Sequence, residues 1–476
     1  MLEFYLKYYP LKVKQKAKKL AEELLSIFAA ENIVLQQASE PEIDCVYENL
    51  VKKELYTELS NIYYTIRKNN GDQHNLLRKY LPELKKEPQG ELLFADFFSG
   101  AGGLSQGMIN AGFSPAFVND NYIDALETYY FNHFLALDCF YSIDIQDIAE
   151  NIETYKHLFR GVKVIAGGPP CQGFSTANRW NFEIEAESLE KRFIEDERNK
   201  LYKYFVKILG AVTPDFFIIE NVTGMMRVEK QIEEDIQSAT NNYYSFIPLT
   251  LDAQNYNIPQ SRRRFFLIGC RDFMFIEKIK ENIKRAASVP GNYTLKDALV
   301  GLPVIGTNPH KLNTDYESEQ NGYAIRKIIS PRNEFINNIN HNLDINYILN
   351  HKSRYNNEND LEIFALLPEG QNSLHESVRH LIKYKSRDHI FKDKYFKLKS
   401  DEVSKTMTSH MRFDCHMYIH PEQPRGLSPR EAARLQTFPD DYFFRGNLNS
   451  WYRQIGNAVP VKLAEIIAMQ IIKYYR

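Results

Sequence analysis

The stretch 92-LLFADFFSGAGGLSQGM-108 decides the fold. Residues 92–98 are apolar apart from Asp96 and read as a buried strand. Gly100, Gly102 and Gly103 follow, and a helix runs on through Met108. Glycines lack Cβ, so the turn can tighten and let a ligand approach the backbone. The helix start behind it offers free N–H groups. A nucleotide-type cofactor fits such a turn; a tight turn without a ligand is the alternative. The spacing is GxGG rather than GxGxxG, so the dinucleotide fingerprint of nicotinamide oxidoreductases is not met.

Working outward, strands and helices alternate, the signature of an α/β sheet. PAFVND (115–120) is a second strand and IDALETYYFNHF (123–134) a helix. VKVIAGG (162–168) and PDFFIIENV (214–222) are further strands. SFIPLTLD (245–252) and RFFLIGC (264–270) look like two more. Past about residue 290 the alternation fades. VKLAEIIAMQIIKYY (461–475) closes the chain as an amphipathic helix. Upstream, residues 1–88 read as a helical extension. In KKLAEELLSIF, Leu20, Leu24, Leu25 and Phe28 share a face. KKEPQGE (85–91) reads as a linker. The expected division is 1–88 extension, 89–290 catalytic domain, 291–424 smaller domain, and 425–476 hinge and return.

The bulk numbers limit the function classes. The chain has 476 residues, 43% hydrophobic and 25% charged, with a net charge of −2. No global positive field announces a nucleic-acid partner, so any such surface is local. Five scattered cysteines form no CxxC pair. That argues against a disulfide framework or zinc cluster and for a reducing compartment. No metal is expected. The N-terminus lacks the pattern of a signal peptide, and no stretch reads as a membrane span. A cytoplasmic, monomeric protein is the expectation.

VIAGGPPCQGFS (164–175) presents Cys171 just past a strand's C-terminal end, where open α/β sheets bind ligands. Pro169 and Pro170 stiffen the approach. A core cysteine gains nothing from such a loop; an exposed thiolate nucleophile does. Glu220, at the tip of PDFFIIENV, would be partly desolvated and raised in pKa. A helix-capping or salt-bridged role is the alternative. In QSRRR (260–264), Arg262 and Arg264 fall on one side by alternation. Asn119-Asp120 ends the second strand, where a carboxylate can accept bonds from ribose hydroxyls. RGLSPREAARLQTFPDDY (425–442) reads as a capped helix with Ser428 as N-cap, Pro429 first and Glu431 third. Asn457 stands in QIGNAVP (454–460).

PPCQGFS, ENV, QSRRR, REAARLQTFP and QIGNAVP, in this order, closely resemble the cytosine-5 DNA methyltransferases of bacterial restriction-modification systems, from about Leu92 to Ile472. The resemblance implies an α/β, Rossmann-like S-adenosylmethionine-dependent methyltransferase fold. A seven-stranded, mostly parallel sheet would be accompanied by a small target-recognition domain, with double-stranded DNA in the cleft between them. It implies that Phe98 packs on S-adenosyl-L-methionine and that Asp120, with Asn119, binds its ribose. Asp144, followed by Ile145, would bind the adenine amino group. Pro170 and Leu201 would line the pocket, with Gly100, Gly102 and Gly103 at the turn, and Asn457 and Ala458 would join it. Cys171 would be the nucleophile, Glu220 the partner of the ring nitrogen and Arg264 the contact to the base oxygen, with Arg262 and Ser175 positioning loop and backbone. Asn121 departs from the bulky apolar residue usual in the family. A cognate restriction endonuclease is the implied functional companion.

Between Arg379 and Lys399 eight Lys or Arg face two Asp, a net of +6, with Tyr384, Phe391, Tyr395 and Phe396 interleaved. We read this as a DNA-facing surface carried by Arg379, Lys383, Lys385, Arg387, Lys392 and Lys394. Two other functions compete: an RNA cytosine-5 methyltransferase and a catalytically silent DNA-binding regulator.

Overall fold

The computed structural model describes residues 90–133, 139–170, 200–287, 293–327, 331–343, 345, 347–383 and 394–476. Seven strands form one sheet: β1 (Leu93–Phe97), β2 (Ser114–Asn119), β3 (Phe140–Tyr141), β4 (Val162–Gly167), β5 (Phe216–Asn221), β6 (Ser245–Asp252) and β7 (Arg263–Cys270), in the order β3-β2-β1-β4-β5-β7-β6. The pairings from β3 through β5 are parallel, and β7 runs antiparallel to both β5 and β6. The expected seven-stranded, mostly parallel sheet is therefore present. The connection 253–262 between β6 and β7 is too short for the crossover that a parallel pair needs.

Strand alternation divides the core between two faces. Phe94, Val164, Ile218 and Phe266 pack with α1 (Gly103–Ala111) and with the last helix of the chain, Val461–Ile471. Ala95, Ile165, Phe217 and Leu267 face the helices Ile145–Glu150, Lys200–Val212 and Glu229–Ala239. Helices on both faces explain why these strands read as apolar runs rather than half-polar ones. The last helix comes back across the whole chain to α1. A Cβ on Gly107 would stand 2.5 Å from both Ala464 Cβ and Glu465 N, so this approach needs glycine.

Part of the segment after residue 290 packs with the C-terminal elements. Leu295, Ala298, Phe335, Ile336, Met407, Met411 and Tyr418 share one core with Ala432, Leu435, Phe438, Tyr452 and Ile455. A second, smaller core holds Ile363, Phe364, Leu367, Val378 and Ile419. The capped helix Pro429–Leu435 forms as its sequence predicts: Ser428 and Glu431 make a capping box, with proline at the first position. Its two arginines, and Arg425 ahead of its cap, are buried and act as braces. Arg425 pairs with Glu431 at 2.6 Å and Arg434 with Asp440 at 2.7 Å, while Arg430 donates to the carbonyls of Leu349 and Pro439. Charge buried this way holds only with partners on every side.

By composition, the run Leu448–Tyr474 is long and apolar enough to cross a membrane, which the sequence reading did not foresee. It is two helices, Leu448–Asn457 and Val461–Ile471, separated by Ala458-Val459-Pro460, and about two thirds of its most apolar window (67%) is buried inside the protein.

Candidate active site

The glycine turn and the end of β2 form one unit. Phe98 and Gly100 have φ of 56° and 53°, and Gly102 has 84°. A left-handed phenylalanine is costly and persists where the surroundings over-determine it, as at ligand sites. Gly100 N donates to Asp120 Oδ2 at 2.8 Å, and Tyr122 N to Oδ1 at 2.7 Å. Burial pushes the Asp120 carboxyl up in pKa. The two backbone donors and the Arg453 guanidinium pull it back. A Cβ on Gly100 would meet nothing within 4 Å, so the turn opens onto free space there. Ser99 Oγ, beside it, is buried and has no hydrogen-bond partner among the described residues. Open space plus an orphaned hydroxyl fits a polar ligand lying over the turn.

Several residues assigned by resemblance are occupied otherwise. Asn119 is buried, and its amide donates to the carbonyls of Tyr141 and Ile143 at 3.0 and 2.9 Å. Its side-chain amide stitches β2 to β3 and its edge. Ile145 is buried against the sheet, so its side chain faces the core rather than a pocket. The Ala458 carbonyl accepts from both Arg262 and Gln436. Gly103 abuts the Val459 carbonyl, 2.4 Å from where a Cβ would sit. Asp144 caps the helix Ile145–Glu150 through Gln146 N at 2.9 Å. Pro170 and Asn457 are exposed and Leu201 is half-buried.

On the other side of β4 stand the charged groups. Glu220, near the C-terminal end of β5, pairs with Arg264 of β7: Arg264 Nε lies 3.2 Å from Glu220 Oε1. Burial raises the Glu220 pKa, and Arg264 and then Arg262 lower it. Asn221, next in the chain, donates to the Pro169 carbonyl at 2.8 Å and accepts from Val222 N at 2.9 Å. The acid's neighbour thus holds the proline approach to the cysteine loop. ENV stood out as a motif; nothing in the sequence assigned Asn221 this task.

Arg262, grouped with the catalytic residues and given a positioning role by the resemblance, is a buried brace. Its guanidinium donates to Met407 O at 2.6 Å, Ala458 O at 2.8 Å and Gly456 O at 3.3 Å. It joins β7 to the segment 406–408 and to QIGNAVP, so it acts by positioning. Gln260 works beside it, bonding Met407 N and Leu435 O. Arg453 went unnoticed in the sequence. It lies 3.9 Å over the Tyr122 ring, next to Asp120.

Cys171, Ser175, Lys385, Arg387 and Lys392, like the helical reading of 1–88, lie outside the described residues. Of the basic stretch that is described, Lys383 is exposed, while Arg379 and Lys394 are half-buried. Two members of the pattern turn inward: Tyr395 bonds Asp360 at 2.7 Å, and Lys397 is buried against the Phe364 carbonyl at 3.0 Å. The apparent charge of +6 therefore overstates what reaches solvent. No group of three or more His, Cys, Asp or Glu suited to a metal ion occurs among the described residues.

Comparison with known proteins agrees with this geometry. The chain is 29% identical over 437 residues to the type II methyltransferase M.AgeI of Thalassovita gelatinovora, covering 79% of this chain and 98% of that one. It is 30% identical over 404 residues to M.DdeI of Desulfomicrobium norvegicum, covering 80% and 88%. A solved E. coli structure, described as a prophage-encoded DNA modification methyltransferase, superposes with a TM-score of 0.60 at 27% identity, covering 80% and 99%. The C-5 cytosine-specific DNA methylase model matches residues 92–473, from β1 through the returning C-terminal helix. A glycine turn tied to a carboxylate, an acid–arginine pair against Gly168, and a family match spanning both establish that the chain belongs to the C-5 cytosine-specific DNA methylases, with the Rossmann-like methyltransferase fold, and is a DNA cytosine-5-methyltransferase.

Proposed function

We propose that the protein methylates carbon 5 of a cytosine turned out of duplex DNA, through a transient bond to Cys171. The observation that carries this is the Glu220–Arg264 pair beside a proline approach fixed by Asn221. Carbon 5 of cytosine is too weak a nucleophile on its own. Addition of the Cys171 thiolate to carbon 6 forms the C–S bond and pushes the ring electrons toward the ring nitrogen, leaving carbon 5 enamine-like. Glu220 hydrogen-bonds that nitrogen, and burial, which raises its pKa, favours the protonated form there. Arg264 binds the base oxygen and restrains the Glu220 charge. After transfer, a base removes the proton from carbon 5, the electrons return, and the C–S bond breaks to release Cys171.

S-adenosylmethionine, when bound, supplies a methyl group on a sulfonium. Phe98, Gly100, Ser99 and Asp120 are suited to hold it, with Asp144, Pro170, Leu201 and Asn457 at the margins. Turning the base out costs a few kcal/mol of stacking and pairing. Residues 291–424 carry the recognition role in this reading, with 1–88 as an extension and 425–476 as the return. Its setting is protection of the cell's own DNA against a companion endonuclease, in the cytoplasm and as a monomer.

The test combines two measurements. Bisulfite mapping of DNA from cells expressing the protein identifies the methylated site. A duplex with 5-fluorocytosine at that site then traps the wild type as an adduct stable to denaturing gels. Cys171→Ala forms no adduct; methylation by that variant at near wild-type rate overturns the mechanism.

A further inference from the structure

The turn Ser409–Arg412 and the residue after it form a surface tip that no motif covers. Its two flanks are sunk in the core: Met411 is 0% and Cys415 1% exposed, while Phe413 between them is 65% exposed. Alternation around two anchors thus forces a large apolar ring into solvent. The tip is stiff. Met411 N donates to Thr408 O at 3.1 Å and Phe413 N to His410 O at 2.9 Å, and Arg354 donates to the Arg412 carbonyl at 3.2 Å. The Arg412 guanidinium lies 4.4 Å over the Phe413 ring, and His410 stands 5.9 Å away at a steep angle.

The place of the tip matters as much as its shape. It springs from Thr408, whose backbone packs against Gly456, the residue before Asn457. Met407, one residue earlier, accepts from Arg262, whose charge bears on both Glu220 and Arg264. The root of the tip is therefore linked through Arg262 to the acid–arginine site, on the side of the segment after residue 290. Single exposed apolar residues are common on surfaces. A rigid aromatic, backed by a cation and rooted on the segment that Arg262 ties to the acid–arginine pair, has the chemistry of a base-stacking wedge.

We propose that Phe413 stacks on a base of the duplex as the target cytosine leaves the helix, with Arg412 behind the ring facing phosphate. This rests on the base-turning reading above. The ring offsets stacking lost at the vacated position, so its value depends on how firmly the target base is paired.

The experiment uses the full chain and a duplex carrying the site found by bisulfite mapping, in two forms. In one the target cytosine is opposite guanine, and in the other it is opposite an abasic position. Phe413→Ala is expected to lose about tenfold to a hundredfold in kcat/KM on the paired duplex, from the usual worth of one base–aromatic stack. It should lose much less on the abasic duplex, and Phe413→Trp should keep most of the activity on both. Because Phe413 is exposed, its thermal unfolding should match that of the wild type. Wild-type kcat/KM for Phe413→Ala on the paired duplex, or an equal loss on both duplexes, overturns the proposal while leaving the methyltransferase reading intact. A wild type that methylates neither duplex overturns that reading, and this inference with it.

Discussion

Arg264 Nε lies 3.2 Å from Glu220 Oε1, across the antiparallel contact of β7 with β5. Both side chains are largely buried, at 14% and 12% exposure, so neither charge is comfortable without the other. The pair has two functional consequences. Glu220→Gln keeps the shape and removes the proton donor, and single-turnover methylation should fall by about 10²-fold or more. Arg264→Ala removes the partner that lowers the Glu220 pKa. The carboxyl then moves higher still and stays protonated to higher pH. The alkaline limb of the rate profile should shift upward, on top of a general loss of rate.

Arg262 tests the difference between positioning and chemistry. Removing its side chain takes this donor from the carbonyls of Met407 and Gly456 and leaves that of Ala458 to Gln436 alone. Arg262→Ala should lower stability by about 3 kcal/mol, the scale of charged hydrogen bonds lost in a buried site. Urea unfolding followed by tryptophan fluorescence measures this, and Arg264→Ala should show a smaller effect.

Asp96 sits under the glycine turn, fully buried, with Ser105 Oγ 2.5 Å from its carboxylate. Burial pushes its pKa from 3.8 to about 7. The native state therefore holds a proton that the unfolded chain gives up, and stability falls as pH rises from about 4 to about 7. The cost approaches a limit of the order of 4 kcal/mol above that window. Asp96→Asn should flatten this slope and match or exceed the wild type in melting temperature at pH 8. A steeper decline in the variant would contradict the assignment.

Arg453 stands over Tyr122, whose hydroxyl reaches Ser450 at 2.5 Å and whose N–H holds Asp120. The helix Leu448–Asn457 thus braces the strand end that lacks the family's usual apolar residue at Asn121. Arg453→Ala should weaken S-adenosylhomocysteine binding, measured by calorimetry without DNA, by about threefold to tenfold. Unchanged affinity would remove Arg453 from the cofactor side.

The sequence carried the sheet well because its strands are short apolar runs ended by glycine, asparagine or proline. LLFADFF, VKVIAGG and PDFFIIENV could hardly be anything else. β3 escaped direct reading, since two residues, Phe140 and Tyr141, make no pattern. The basic stretch misled in part because periodicity cannot reveal that Tyr395 finds Asp360 or that Lys397 finds a carbonyl; those partners lie more than thirty residues away. The depth of Arg262 is hidden for the same reason. An RxR motif shows alternation, and alternation gives direction but not depth. Arg453 and Phe413 belong to no motif, and only the folded chain shows that one lies over Tyr122 and the other stands out from a core-anchored tip.

The embrace of Gly107 by Ala464 joins groups far apart in time of synthesis; their helix neighbours Asn110 and Glu465 are 355 residues apart. A ribosome must add everything between before that groove can close. Until then, one face of the nascent sheet lacks its cover and the turn that begins α1 lacks its backing. The enzyme should gain competence only late in translation, and joining the two helices earlier in a permuted gene should speed its maturation.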